Sequence, residues 1–151
     1  MKTIGIGFYY EDLPLGFRFR SAARTLAEAD LGNFVNLTWL TEEIFTNHAA
    51  RQGQSLPARV VPGALVMSFA EGLLTPAIQH TGLAFLHADL DVRAPTCVGD
   101  TIHVECEVIE ARTTSRGDRG LVRCRNRVLN QHDREVLVYT PLRLLRRRQA
   151  A

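Results

Sequence analysis

Glu42, Glu43 and His48, close together in the first half of the chain, are of types that transfer protons. A carboxyl group in an apolar pocket keeps its proton to higher pH, and a His changes charge near neutrality. Either type can act as a general acid or base when it meets a substrate. The same residues also have plainer uses. Adjacent Glu residues near the start of a short helix favour its dipole, and a loop His is simply solvated. Further on, Arg59-Val60-Val61-Pro62-Gly63-Ala64 leads into an apolar run. If a helix starts there, the N–H groups of Gly63 and Ala64 have no intrahelical acceptor and sit at the positive end of its dipole. Such donors polarise a carbonyl oxygen, as in an oxyanion hole. Pro62 has no N–H to offer. A Gly at this point equally serves close packing or an unusual backbone angle.

Other reactive residue types show no such grouping. His80, His87, His103 and His132 have no metal-ligand spacing with one another or with Cys97, Cys106 and Cys124, so no metal is expected, and no cofactor. An odd number of cysteines at long spacings fits buried thiols in a reducing compartment. Arg123, Arg125 and Arg127 alternate along one face of a strand-like run. They suit either phosphates, such as those of coenzyme A, or a solvated sheet face. Arg116-Gly117-Asp118 falls where a hairpin turn needs Gly and Asp, and is read as that turn.

The elements that must carry these residues divide the chain into a helical half and a strand half. Thr25-Leu26-Ala27-Glu28 has the form of a capping box, and Leu31, Phe34, Val35 and Leu37 follow at helical spacing. Thr41 to Phe45 reads as a short helical turn, and Gln52 to Leu56 as a loop. Ala64 to Leu74 is apolar nearly all round, which predicts a buried helix, ending at Pro76. Phe17 to Ser21 is a short strand candidate. From residue 82 the period becomes two. Strands are expected over Leu83–Val92, Thr101–Glu110, Leu121–Leu129 and Glu135–Leu145, with Ile102, Val104, Cys106 and Val108 facing inward. Short turns between them imply antiparallel pairing. The plan is α+β: one long antiparallel sheet wrapped around a central buried helix.

The chain has 151 residues, 46% hydrophobic and 23% charged, with a net charge of +2. This is one folded domain spanning residues 1–151, large enough to bury a core, and its charge gives no reason to expect nucleic acid. No apolar run reaches the roughly 18 residues of a membrane span, and the N-terminus lacks the pattern of a signal peptide. A cytoplasmic location is expected. The basic run Arg146-Arg147-Arg148 reads as a solvated tail.

Residues 24–145 resemble the MaoC-like dehydratases, which include the (R)-specific enoyl-CoA hydratases and have the hotdog fold. The stretches Glu28–Thr38, Arg59–Val66 and Val92–Ile102 carry the likeness. They are similar to the family's first helix, its Arg-Ile-x-His-Gly-x-Leu entry to the central helix and its x-Pro-Val-x-x-Gly-Asp-Thr turn. The resemblance implies water addition or removal at a C=C bond conjugated to a thioester, by an Asp and a His from a Gly-Asp-x-Asn-Pro-x-His segment. Here Leu40 and Phe45 stand at those two places, and Pro62 replaces the His of the helix entry. Glu42 and His48 are then the remaining acid/base candidates. Gly63 and Ala64 are expected to hold an acyl-CoA carbonyl, with Trp39 lining the acyl pocket or lying in the core. The expected assembly is a homodimer or higher homo-oligomer, which covers the sheet edge. Two alternatives stand beside this reading. One is an inactive hotdog that binds acyl-CoA or partners an active paralogue. The other is a hotdog thioesterase using Glu71, the one carboxylate of the central helix.

Overall fold

The computed structural model describes residues 1–47, 49 and 59–149. Its framework is an antiparallel sheet of eight strands, with the central helix against it. The strands are β1 (Arg18–Arg20), β2 (Arg24–Thr25), β3 (Gly82–His87), β4 (Leu90–Val92), β5 (Thr101–Thr113), β6 (Arg119–Leu129), β7 (Glu135–Tyr139) and β8 (Leu142–Arg146). The helices are α1 (Glu28–Thr38), α2 (Glu43–Thr46), α3 (Gly63–Leu73) and α4 (Thr75–Ile78). Across the sheet the order runs β1, β5, β6, then β7 with β8, then β4 with β3 at the far edge. This is the hotdog arrangement that the chain order implies.

The strict alternation of β5 does what its sequence predicts. Ile102, Val104, Cys106 and Val108 are buried, while the residues between them are partly exposed. Ile102, Val104 and Cys106 meet Leu65, Val66 and Ala70 of α3, with Leu31 and Val35 of α1 and Val136, Leu137 and Tyr139 of β7 completing the main core, while Val108 joins a second cluster with Leu13, Val122 and Leu145. Burying a side chain of this size contributes about 1.5–3 kcal/mol. Contrary to the expectation of all-round burial, α3 leaves Ala64, Ser68 and Gly72 exposed along one side.

Four further expectations need correction. The capping residue of α1 is not Thr25. That residue belongs to β2, where its hydroxyl meets that of Thr101 at 2.7 Å. Asp30 instead accepts from the Ala27 N–H at 2.8 Å and closes the first turn. The long strands expected at 83–92 and 135–145 are each broken, at Ala88-Asp89 and at Thr140-Pro141. Pro141 has no N–H for the ladder. The two breaks lie side by side, stitched by the Thr140 N–H to Asp89 O at 3.0 Å.

The arginine run is no solvated tail. Arg147 pairs with Glu11 at 2.8 Å, and Arg148 with Asp12 at 2.6 Å. Both guanidinium groups also lie over tyrosine rings, Arg147 over Tyr10 and Arg148 over Tyr9. Together they clamp the 3-10 turn Tyr10–Asp12 onto the fold. The Tyr10 ring fits against Gly120, where any Cβ would meet it at 2.2 Å. Among the described residues, no helix is long and apolar enough to cross a membrane.

Candidate functional site

The site begins at the start of α3. Val61 N–H donates to Thr96 O at 2.9 Å, and Val60 bridges to Cys97, so the approach to the helix is held by the turn after β4. That turn needs its Gly: Gly99 has φ +95°, and its N–H donates to Leu26 O. Pro62 is the N-cap, and its carbonyl accepts from Leu65 N–H at 3.0 Å and Val66 N–H at 3.2 Å. Gly63 and Ala64 occupy the first two helical positions. Among the described residues neither N–H has an acceptor. Val92 of β4 closes on this turn, its Cγ2 lying 3.0 Å from where a Cβ on Gly63 would be. Gly63 is thus a close approach rather than a conformational necessity. Val92 is 58% exposed on the outer strand, so this helix start lies at the edge of the sheet.

The segment between α1 and α2 presents the other candidates. Trp39 ends α1 in the left-handed region, φ 60° and ψ 20°, a conformation unusual for a bulky residue. Its side chain is 85% exposed, so within this chain it belongs neither to the core nor to a closed pocket. Leu40 is half-buried, and Phe45 packs against the main core. Arg59 ties this segment down, donating to Phe45 O at 3.4 Å while pairing with Glu28 at 2.7 Å. Glu42 is exposed as the N-cap residue of α2, and Glu43 accepts from the Asn47 side-chain amide at 2.7 Å. His48 lies outside the described residues, as does the expected loop at Gln52 to Leu56.

Glu71 sits on the inner side of α3, two turns beyond Gly63. Its carboxylate accepts from Tyr139 Oη at 2.6 Å and from Arg143 Nη2 at 2.5 and 2.6 Å. Burial, and then the neighbouring Glu71, push the Tyr139 hydroxyl well above the usual phenol range. Burial likewise pushes the Cys124 thiol up to about 11 and that of Cys106 higher still. None of these groups is a poised nucleophile. Sequence reasoning missed Tyr139 and Arg143. The one signal was Arg143 standing within the apolar run Leu142–Leu145.

Two of the three arginines in the β6 stripe are matched by acids on its neighbours, and Arg125 is exposed. Arg123 pairs with Glu110 at 3.1 Å, and Arg127 pairs with Glu105 at 3.2 Å and Glu135 at 2.6 Å. This favours a charge-paired sheet face over a phosphate site. The Arg116–Asp118 tripeptide is a turn, with Gly117 at φ +70° and Asp118 accepting from the Thr114 hydroxyl. Among the described residues no three His, Cys, Asp or Glu side chains cluster to hold a metal ion.

Residues 14–138 match the family model described as FAS1-like, dehydratase domain region. The chain is similar to the (R)-specific enoyl-CoA hydratase of Rhodospirillum rubrum, 28% identical over 62% of this chain and 65% of that protein. It is also similar to the mesaconyl-CoA hydratase of Cereibacter sphaeroides, 29% identical over 100% of this chain and 44% of that protein. The chain therefore spans less than two thirds of either relative's length. Among solved structures, the MaoC-like dehydratase from Rhodospirillum rubrum superposes with a TM-score of 0.84 at 26% identity, covering 95% of this chain and 100% of that one.

Proposed function

This chain belongs to the FAS1-like dehydratase family of MaoC-like hotdog proteins, and from that membership we propose that it binds an acyl-CoA thioester for hydratase or dehydratase chemistry. One observation carries the reading: Gly63 and Ala64 offer two unengaged N–H donors at the start of a buried helix, at an open sheet edge. The thioester carbonyl lies against these donors. When water adds across the conjugated C=C bond, its oxygen bonds to Cβ and the electron pair moves toward the thioester oxygen. The two N–H groups stabilise that developing charge. A base must take the water's proton, and Cα must receive one. On this chain Glu42 and His48 are the candidates, with Trp39 beside the acyl group. The similarity to two CoA-thioester hydratases supports this ligand class. The protein acts in the cytoplasm, where its three thiols stay reduced.

A second reading has its own support. Leu40 and Phe45 stand at the family's acid/base places, and neither transfers protons. In that reading this chain binds the thioester while a second hotdog supplies the chemistry. In both readings the apolar outer edge of β3 and β4, which exposes Leu83, Phe85, Leu86, Leu90 and Val92, pairs with that second hotdog, another copy in the first case.

The test is a crotonyl-CoA hydration assay beside a thermal-shift titration with the same ligand. Turnover that Glu42→Gln or His48→Ala abolishes supports the enzyme reading. A ligand-induced rise in Tm without turnover supports the binding half, since a ligand that binds only the folded state stabilises it. The absence of both signals would overturn the proposal for short enoyl-CoA.

A further inference from the structure

Strand β6 carries an anomaly on its inner face. Val122, Cys124, Asn126 and Val128 alternate inward, and the Asn among them is 1% exposed. An amide at such a place costs free energy unless both of its ends are hydrogen-bonded. One end is accounted for. The Tyr139 hydroxyl gives its proton to Glu71, so its oxygen can only accept from Asn126, which therefore presents its NH2. This assigns the amide's orientation by hydrogen-bond logic and turns Oδ1 the other way. There Oδ1 is buried and has no hydrogen-bond partner in the protein.

Asn126 also lines a cavity. Around it stand Phe8 and Leu13 of the N-terminal segment, Leu74 and Ile78 beside α4, and Arg143 of β8. The cavity offers about 30 Å³ to water-sized guests. A buried water needs roughly 10–15 Å³ measured this way and two or more polar partners. The volume is too small for an acyl chain or a nucleotide. The guest must donate to Oδ1, and Arg143, which uses only Nη2 on Glu71, has further N–H groups to give.

We propose that this cavity is a specific site for one or two water molecules held between Asn126 Oδ1 and the Arg143 guanidinium. The water completes a chain running from Glu71 through Tyr139 to Asn126, and it fixes the side chains on which the inner side of α3 rests. The site is separate from the thioester donors at Gly63 and stands whether or not that reading holds.

A crystal structure of the full chain, at a resolution that shows ordered water, tests this. The expected result is a density peak within about 3 Å of Asn126 Oδ1. Crystals pressurised with xenon should show no xenon in the cavity, because xenon enters dry apolar voids. In Asn126→Leu, of similar size, the peak should vanish. A wild-type cavity that is dry, that takes up xenon, or whose water avoids Oδ1 overturns the proposal. These wild-type measurements decide the matter even if the variant fails to fold.

Discussion

Glu71 of the central helix and Arg143 of β8 hold each other across the interior, one guanidinium nitrogen donating to both carboxylate oxygens. Their side chains are 26% and 14% exposed, and Tyr139 adds a third hydrogen bond. A carboxylate so occupied is a structural partner and not a free base. We expect Glu71→Gln to destabilise the fold by about 3 kcal/mol, because it leaves the arginine charge inside without its partner. The double variant Glu71→Gln/Arg143→Met should recover most of that loss in urea unfolding. Acyl-CoA hydrolysis by the wild type that disappears in both variants would instead support the thioesterase alternative.

The proposed role of the Gly63 N–H as a carbonyl donor can be tested without disturbing the helix. Pro is well suited to the first helical position, and Pro62 already has the extended backbone that a following Pro requires, φ −60° and ψ 142°. Gly63→Pro therefore removes one N–H. Gly63→Ala adds the same Cβ beside Val92 and keeps the N–H. In a Val92→Ala background, which makes room for either, Gly63→Ala should retain the Tm rise caused by crotonyl-CoA and Gly63→Pro should lose most of it. Equal responses would place the carbonyl elsewhere.

The outer edge predicts the assembly. Leu86 is 52% exposed and Leu90 42%, on strands with no neighbour on that side. A Lys on an edge strand blocks pairing. Sedimentation should show a dimer for the wild type and a monomer for Leu86→Lys/Leu90→Lys. A wild-type monomer, or a double variant that stays dimeric, would remove this edge from the proposal.

Much of this architecture is legible in the sequence, and the misses share a cause. The inward face of β5 and the start of α3 follow from local pattern, and both stand. Thr25 satisfies a local capping rule yet is taken by β5, where Thr101 offers its hydroxyl. Arg147 and Arg148 find acids more than a hundred residues away, at Glu11 and Asp12. No window of neighbouring residues contains that pairing. That Leu40 and Phe45 stand at the family's acid/base places is a reading of the sequence alone, whereas the exposure of Trp39 follows only from the left-handed turn that ends α1.

Alkaline pH should unfold the protein ahead of any acid effect from its thiols or Tyr139. Burial raises the Cys124 thiol from 9.0 to about 11, and raises Cys106 and Tyr139 as well. Below pH 9 these groups hold their protons in both the folded and unfolded states and cost nothing. Above it the unfolded chain ionises first, so stability falls by up to about 1.4 kcal/mol per pH unit for each group. Tm should drop from pH 9 toward 11, and Cys124→Ala should make the decline shallower. A thiol reagent should find Cys106 and Cys124 unreactive at pH 8 until the protein unfolds. A flat Tm over this range would show that these groups are less buried than described.

The clamp on the N-terminal turn should weaken with salt. Its pairs, Arg147 with Glu11 and Arg148 with Asp12, are partly exposed and contribute about 0.2–1 kcal/mol each. Glu11→Gln/Asp12→Asn should lower stability by that order in dilute buffer. The difference should shrink at 1 M salt, where screening acts over about 3 Å. A difference that does not change with salt would mean that the rings of Tyr9 and Tyr10, rather than the charges, hold the turn.

The paired breaks at Ala88-Asp89 and Thr140-Pro141 crease the sheet along one line, and the interior divides with it. One apolar cluster gathers around Tyr139, Leu137 and α3, the other around Leu145, Val122 and Leu13 under the N-terminal turn. Strands β5 and β6 run unbroken through both clusters, but only the smaller one is latched, by Arg147 and Arg148 on Glu11 and Asp12. Loss of that latch should loosen the lesser compartment first and leave the start of α3 at Gly63 in place.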